Sequence, residues 1–405
     1  MNFKELLKRY KEGKATEEEI EFIKGEIEKY EALEEYISGE IDFDKELNFD
    51  RDLNSFPRED KSLKDGARNI QKNVNKRLRK VVLTSVSIVV ALYFIVFLVL
   101  SPLVDMFFYN PTKISVGKDV QDFYYDIDAI TRLNMPGTII HGASADKNQF
   151  GSYNLSINRK DLFQQKSEEL NLKITRNMRY SFKFTEPANY NFPFILNGLS
   201  NDFAQKNNDL ALSNIKELNP VSHTSSYIIF KEDLTMEELV TLREKYLNNN
   251  IQFIWAGIRT EDKTKEDKSD LTNAPVTGFS LAAESGGSPN GDFPDLKKYP
   301  AFDYMRWLTK QDYHENLPAE GYALHYKNLL QYLIDRKEAS NTIEGTLKHD
   351  YYSDSLDYVE ENGVKAFGLL IYADARDLLE FIQNEDIHSI QLNDVLPLRK
   401  NFGVY

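Results

Sequence analysis

Histidine, aspartate, glutamate and serine are the residue types in this sequence that could bind a metal ion or support catalysis. No two histidines have the i, i+4 spacing of a zinc-binding helix, and no His-Glu-x-x-His motif occurs. The six histidines are His141, His223, His314, His325, His349 and His388. The chain has no cysteine, which excludes thiolate zinc sites, iron–sulfur clusters, disulfides and cysteine nucleophiles. The sequence predicts no metal ion and no other cofactor.

Two glycine-containing segments resemble catalytic loops without completing the motif. Residues 278–280 read Gly-Phe-Ser, but Ala282 stands where a nucleophile elbow has its second glycine. The glycines of residues 284–295 are not followed by the Lys-Ser/Thr pair of a phosphate-binding loop. Neither segment therefore predicts an active site, although the 284–295 loop and the charged 261–275 loop could frame a ligand cleft.

Carboxylates and tryptophans are the remaining candidates for chemistry. The acids that could pair for proton transfer are Asp303, Asp312, Asp350, Asp354 and Asp357. Acids are abundant in this chain, with 64 aspartates and glutamates, so a solvated surface position is the expectation for each. Trp255 and Trp307 could stack on a sugar, but we expect both in the core. The sequence predicts that the protein is not an enzyme.

Composition narrows the class of protein further. The chain has 405 residues, of which 41% are hydrophobic and 12% aromatic. This content can bury a real core, which excludes a wholly disordered chain. The formal net charge of -14 argues against direct binding of nucleic acid, because such binding needs a basic face.

One segment is apolar enough to cross a membrane. Residues 81–104 contain no charged residue, and the core of this segment reads VVLTSVSIVVALYFIVFLVL. Twenty helical residues extend about 30 Å, which matches the hydrocarbon thickness of a bilayer. A core helix is rarely apolar all round over this length, and a signal peptide would begin near the N-terminus. We therefore predict a transmembrane helix at 81–104, with residues 107–109 as an aromatic belt.

The charges that flank this segment predict its orientation. The basic residues on its N-terminal side are Lys72, Lys76, Arg77, Arg79 and Lys80, and Asp105 is the first charge on the other side. By the positive-inside rule, residues 1–80 lie in the cytoplasm and residues from about 110 onwards lie outside the cell. The prediction is a single-pass protein of the cell membrane with a basic juxtamembrane helix at 61–80.

Residues 1–60 predict a small helical head. Asn2 with Glu5 and Thr16 with Glu19 have the spacing of capping boxes, and each precedes a helical apolar pattern. The apolar stripes consist of Phe3, Leu6, Leu7 and Tyr10 on the first helix, and of Ile20, Ile23, Ile27, Tyr30, Leu33 and Ile37 on the second. These ten residues are the predicted partner-binding residues.

The head is too small to bury all of its apolar residues by itself. Domains of about 60 residues are already marginally stable. The two stripes can pack on each other, but the apolar residues scattered among acids at 41–56 then need a second surface. A partner protein that completes the core is one explanation. The head is acidic before Lys61, and a basic partner would be attracted to it, although the commoner meaning of such charge is a solvated helix face.

Two segments resemble a known family. ELLKRYKEGKATEEEIEFIKGEIEKYEALEEYI, residues 5–37, resembles the N-terminal domain of the sigma-factor regulators, which are membrane-bound anti-sigma factors of low-GC Gram-positive bacteria. FKEDLTMEELVTLREKYLNNNIQFIWAGIRTED, residues 230–262, resembles the start of the family's C-terminal domain. The resemblance implies that the head binds an extracytoplasmic-function sigma factor, and it supplies no catalytic residues. Zinc-containing anti-sigma factors differ, because their ligands include cysteine.

The exterior region predicts an α+β fold in two parts. Residues 110–225 read as short strands, beginning near Gly137, Phe150 and Asn177. Residues 226–405 contain two strand–helix–strand patterns, at 226–258 and 364–396. Two such units favour a ferredoxin-like, split βαβ sheet, and we place a helical insertion between them at about 300–362.

The function that these observations favour is that of a single-pass membrane anti-sigma factor. The head would hold the sigma factor, and the exterior domain would sense an envelope signal, an exterior ligand or a second membrane protein. Release of the sigma factor would follow a conformational change or proteolysis. The alternative is a membrane-tethered envelope enzyme or wall-binding module whose head is an anchor, and a third interpretation is a receptor for another cytoplasmic protein.

Overall fold

The computed structural model describes residues 16–25, 29, 61–179, 201–261, 276–281 and 293–398. For residues 61–70, 178–179, 201–203 and 346–348, only the backbone is described. The chain divides into two compact units, Met1–Ile88 and Val89–Tyr405. The predicted first helix of the head, its stripe and the segment at 41–56 lie outside the described residues.

Residues 17–25 of the first unit form helix α1, and helix α2, Lys61–Phe94, begins in the first unit and ends in the second. A π-helical stretch, Ile95–Leu100, and helix α3, Ser101–Asp105, continue it without a break. In the π-helical stretch the backbone N–H of Ser101 donates to the carbonyl of Val96, five residues earlier. Pro102 follows directly and has no N–H to give the carbonyl of Leu98. The proline therefore accounts for the wider turn at this end of the helix.

This long helix is the one candidate membrane span among the described residues. The span runs over Gln71–Asp105, and none of its most apolar window is buried. The helix thus presents its apolar side chains outwards, as a membrane-spanning segment does. Length and exposure agree with the prediction of one transmembrane helix.

The second unit mixes helices and strands, as the α+β prediction requires. Its helices are α4 Asp122–Asn134, α5 Asn201–Glu217, α6 Met236–Lys245, α7 Tyr304–Leu308, α8 Leu317–Asp335, α9 Lys337–Ile343, α10 Thr346–Asn362 and α11 Ala375–Asn384. Its strands are β1 Thr138–Lys147, β2 Ser152–Asp161, β3 Ser167–Thr175, β4 Met178–Arg179, β5 His223–Thr235, β6 Ile251–Ile258, β7 Gly278–Ser280, β8 Lys365–Asp374 and β9 Ile387–Leu396.

The larger sheet has the predicted split βαβ arrangement. Its strand order is β7-β6-β8-β5-β9, and its neighbouring strands are antiparallel. The two units β5–α6–β6 and β8–α11–β9 interlock, because β8 lies between β5 and β6 while β5 lies between β8 and β9. Strand β8 is buried along nearly its whole length, as expected for a central strand that is covered on both faces. The ferredoxin-like expectation is confirmed, with β7 as an added edge strand.

Helices α7 to α10 form the insertion that was predicted at about 300–362. They lie between β7 and β8 in the chain, and α8 is their most buried member. Its tyrosines Tyr322, Tyr326 and Tyr332 belong to the main hydrophobic core. Helix α8 packs against α4, α6 and α10, so the insertion is part of the body of the unit.

The smaller sheet has the order β1-β2-β3-β4 and is antiparallel. Strands β1 and β2 lie where the sequence predicted strands, and the described start of the third predicted strand is β4. Strand β3 and helices α4 and α5 were not predicted. Helix α4 is buried on almost every side, so its sequence lacks the polar face by which an amphipathic helix is recognised.

Candidate functional site

Two regions bear on the predicted function: helix α1, which contains two of the predicted partner-binding residues, and the junction at which the long apolar helix meets the rest of the second unit. In helix α1, Ile23 is fully buried within the chain and Ile20 is half-buried, whereas Phe22 is 54% exposed. Two of the ten predicted contact residues are thus described, and the side chain of Ile23 is already covered. The others, Phe3, Leu6, Leu7, Tyr10, Ile27, Tyr30, Leu33 and Ile37, lie outside the described residues.

A capping box fixes the start of helix α1, as the sequence predicts. The backbone N–H of Thr16 donates to Glu19 Oε2 at 2.9 Å, and the N–H of Glu19 donates to Thr16 Oγ1 at 3.4 Å. This reciprocal pair satisfies two of the N–H groups that a helix start leaves without partners. The side chains of Glu17, Glu18 and Glu21 remain exposed, so the helix presents acids to solvent.

The junction is built on one face of the outer end of the membrane helix. Phe97, Ser101 and Asp105 are spaced four residues apart, and side chains with this spacing lie above one another along a helix. Ser101 and Asp105 are buried, whereas Pro102 and Leu103 between them are exposed. One stripe of the helix end is therefore covered by protein, and the remaining surface is open.

The turn between β1 and β2 covers this stripe. The backbone N–H of Phe150 donates to Ser101 Oγ at 3.0 Å, and the N–H of Gly151 donates to Asp105 Oδ1. Lys147 forms an ion pair with the other carboxylate oxygen of Asp105. Because these bonds use backbone groups and a buried carboxylate, the turn is held to the helix end in one orientation.

A buried carboxylate connects the segment after the membrane helix to helices α4 and α8. Asp126 of α4 accepts hydrogen bonds from the hydroxyl groups of Tyr109 at 2.6 Å and of Tyr332 at 2.8 Å. The guanidinium of Arg336 donates to both oxygens of Asp126, at 2.8 Å each. Asp126 is fully buried, and these donors supply the partners that a buried charge requires.

A second carboxylate of α4 extends this network. Asp122 is also fully buried, and its Oδ2 receives Arg336 Nη1 at 3.2 Å. Its two oxygens accept in addition the backbone N–H groups of Ser115 and Val116, at 2.7 and 2.9 Å, and the hydroxyl group of Ser115. We call Tyr109, Asp122, Asp126, Tyr332 and Arg336 the buried-acid network.

The pKa shifts within the network follow from burial and from the charges. Burial alone would lower the pKa of Arg336, but its hydrogen bonds to Asp126 and the charge of that residue raise it above the ordinary value. Burial raises the pKa of Tyr109 and Tyr332 well above the ordinary value, and the negative charge of Asp126 adds to the effect. The arginine therefore stays charged and the tyrosines stay neutral donors at physiological pH.

The sequence did not single out this network. The usable signal was the pair of aspartates at i, i+4 within an aromatic run, Asp122-Phe-Tyr-Tyr-Asp126, because acids flanked by core residues need buried partners. Arg336, which lies 210 residues from Asp126, could not be assigned as the partner from its position in the chain.

Among the other chemical candidates, the expectation of a solvated position is wrong for Asp303, which is buried and accepts the backbone N–H of Arg306 at 2.7 Å. Trp255 is buried, as expected, and its Nε1 donates to the carbonyl of Arg132 at 2.8 Å. Gly278 belongs to β7, where a side chain would collide with the Ala256 carbonyl at 1.9 Å, so this glycine is required for strand packing. His325 is buried, and burial lowers its pKa to about 3. Trp307 is half-buried beside Gly321.

An open groove of about 330 Å³ lies between β5, α6 and the turn before β9. Its walls are formed by Phe230, Leu234 and Leu242, and by acids that have partners within the chain. Glu385 accepts from Lys245 and Tyr246, and Asp386 pairs with Lys231. In the part of the chain that the structure describes, no group of three or more histidines, aspartates or glutamates is arranged to hold a metal ion.

Comparison with known proteins gives one match. Residues 215–394, from the end of α5 almost to the end of β9, match the family model described as sigma factor regulator C-terminal. The matched range contains the five-stranded sheet and the helical insertion. No curated protein and no solved structure matches the chain.

Proposed function

We propose that the chain, of which residues 215–394 match the sigma factor regulator C-terminal model, is a member of the sigma factor regulator family and a single-pass membrane anti-sigma factor. Its N-terminal helices hold an extracytoplasmic-function sigma factor at the cytoplasmic face, and its exterior domain responds to an envelope signal. The observation that carries this proposal is the order of parts along the chain. A capped acidic helix comes first, one apolar helix follows, and the sigma factor regulator domain comes last.

Charge supports the role of the head. Sigma factors contact promoter DNA through basic surfaces, and an acidic helix that covers such a surface masks it. Glu17, Glu18 and Glu21 are solvent-exposed in helix α1 and are available for this contact. The membrane tether keeps the bound sigma factor away from the promoter as well.

The basic residues at 72–80 support the orientation. Lys72, Lys76, Arg77, Arg79 and Lys80 precede the apolar segment, and positive residues remain on the cytoplasmic side. The head then lies with the transcription machinery, and the sigma factor regulator domain lies in the envelope.

The junction supports a sensing role for the exterior domain. Signals travel between sites through packed or hydrogen-bonded elements that have more than one arrangement. Backbone N–H groups of the β1–β2 turn donate hydrogen bonds to Ser101 and Asp105 of the membrane helix. The buried-acid network binds the segment that follows through Tyr109. A ligand or a second membrane protein that shifts α4 or α8 would therefore act on the end of the membrane helix.

Deletion of residues 2–60 in the source organism tests the proposal. We expect one sigma regulon to be induced as strongly as by deletion of the whole gene, because the exterior domain alone cannot hold the sigma factor. A strain that carries residues 1–110 serves as the control and keeps the regulon repressed. An unchanged transcriptome after deletion of 2–60 would instead support the alternative of an envelope module with an anchor.

A further inference from the structure

The β1–β2 turn contacts the membrane helix at Phe97 and Ser101, near the outer end of the apolar segment. The ring of Phe150, in this turn, lies 6.0 Å from the ring of Phe97, centroid to centroid. If Lys80 marks the inner boundary of the hydrocarbon, twenty helical residues extend the hydrocarbon to about Leu100. The backbone N–H of Phe150 bonds to Ser101, just beyond this boundary. The ring of Phe150 therefore lies beside the ring of Phe97, a residue within this hydrocarbon range.

The turn adopts a backbone conformation that disfavours phenylalanine. The N–H of Ser152 donates to the carbonyl of Gln149 at 3.1 Å, and Phe150 and Gly151 between them have φ of 53° and 70°. Two positive φ angles define a type I′ turn, in which asparagine followed by glycine is the preferred pair. A bulky residue with positive φ is an outlier that points to a function.

Gly151 fits the turn for a steric reason as well as a conformational one. A Cβ atom at this position would lie 3.1 Å from the ring of Phe108. The ring of Phe108 thus packs closely against the backbone of the turn and fixes its position. The strained residue is Phe150, whose side chain points to the membrane helix.

We propose that the β1–β2 turn is a membrane-inserted loop, with the Phe150 ring in the lipid leaflet on the side of the exterior domain. The surrounding side chains fit a lipid surface. Met106 and Phe107 follow the membrane helix and are 81% and 80% exposed, which suits the apolar–polar boundary of a bilayer. Lys147, at the base of the turn, is 40% exposed and neutralises the buried carboxylate of Asp105.

This arrangement sets the height of the exterior domain on the membrane. A turn that is bonded to the helix end and inserted in lipid leaves the domain no freedom to tilt away from the bilayer. This proposal does not depend on the binding of a sigma factor. A negative result in its test would therefore leave the proposed function standing, and a negative result in the deletion test would leave this proposal standing.

Single-cysteine labelling of the full-length protein in phosphatidylcholine vesicles tests the insertion. The chain has no cysteine, so Phe150→Cys carries the one thiol for an environment-sensitive fluorophore. Matched controls are Leu98→Cys, 66% exposed on the membrane helix, and Leu247→Cys, 78% exposed after α6. We expect doxyl-lipid quenching at position 150 of at least half that at 98, and iodide quenching at least fivefold below that at 247. A label at 150 that iodide reaches as readily as at 247 would overturn the proposal.

A second pair of variants tests whether the ring of Phe150 itself inserts into the lipid. A label on Gln149→Cys reports the depth of the turn with Phe150 present, and the Gln149→Cys/Phe150→Asn double variant reports it without the ring. Asparagine suits the positive φ, so the hairpin stays folded. We expect doxyl-lipid quenching to fall at least twofold in the double variant. Equal quenching in both proteins would show that Phe150 packs on the helix without inserting, and the proposal would then be wrong.

Discussion

Helices α1 and α4 both carry a cluster of acids, and the two clusters have opposite environments. In α1, the side chains of Glu17, Glu18 and Glu21 are exposed to solvent. In α4, Asp122 and Asp126 are fully buried. Arg336 and backbone N–H groups donate hydrogen bonds to their carboxylates. The comparison teaches that acidic residues have two roles in the structure: those of α1 form a solvated surface, and those of α4 belong to the buried-acid network.

The largest loss of stability is expected when Arg336, the cation of the buried-acid network, is replaced. Arg336→Met leaves two buried carboxylates without their guanidinium, and breaking a buried pair from one side destabilises by about 3–5 kcal/mol. Thermal unfolding of the protein, followed by near-ultraviolet circular dichroism, measures the loss. The control Arg376→Met removes an exposed partner of Asp377 and should change stability by less than about 1 kcal/mol. Equal losses of stability in the two variants would contradict a special role for the buried-acid network.

The pH dependence of stability tests the burial of His325. His325 has a folded-state pKa of about 3, below its unfolded value of about 6.5. Protonation therefore favours the unfolded state, and stability is fully present above about pH 6.5 and falls by about 1.4 kcal/mol per pH unit towards pH 3.

The measurement for this prediction is chemical unfolding at pH 7, 6, 5 and 4. In His325→Asn, the slope of stability against pH on the acid side should correspond to about one bound proton fewer than in the wild-type protein. An unaltered slope in His325→Asn would contradict the lowered pKa.

A smaller effect is expected when one neutral donor of the network is removed. Tyr332→Phe deletes the hydroxyl that donates to Asp126 at 2.8 Å, and loss of such a buried bond destabilises by about 1–3 kcal/mol. Tyr313→Phe is the matched control, because Tyr313 is exposed. Differential scanning calorimetry compares the two, and a melting temperature for Tyr332→Phe equal to that of the control would argue against the network.

The smallest effect is expected in the head. Thr16→Ala removes the side-chain acceptor of the capping box, which typically destabilises a helix by about 1 kcal/mol. Hydrogen exchange of the amides of residues 17–25 should accelerate about fivefold, since 1.4 kcal/mol corresponds to a factor of ten. Glu17→Ala, which alters an exposed residue, is the control. Unchanged exchange after Thr16→Ala would mean that the cap does not fix this helix.

Local patterns predicted much of this fold. The second capping box, the apolar helix and the two strand–helix–strand units each depend on residues close together in the chain. Strand β3 was missed although Leu170, Leu172 and Ile174 alternate with polar residues, which is a readable signal. Helix α4 was missed for a deeper reason. It is buried on almost every side and so has no polar face to recognise, and Arg336, the cation that pairs with its aspartates, lies 210 residues from Asp126.

The junction could not be predicted for the same reason. Gly151 reads as an ordinary hairpin glycine, and its bond to Asp105 joins residues 46 positions apart. In the head, one of the ten predicted partner-binding residues is covered by the chain itself. Ile23 is buried within the chain, so Ile23→Asp would test the folding of the head, whereas exposed Phe22 and the exposed glutamates offer a surface for contact.

The central claim is tested most directly by binding of the full-length protein, solubilised in detergent, to each extracytoplasmic-function sigma factor of the source organism. We predict that one sigma factor co-purifies with the chain at low salt. The Glu17→Lys/Glu18→Lys/Glu21→Lys variant should bind it at least tenfold more weakly, while an Asp350→Lys/Asp354→Lys control in the exterior domain binds normally. Failure of every sigma factor to bind the wild-type protein would contradict the account.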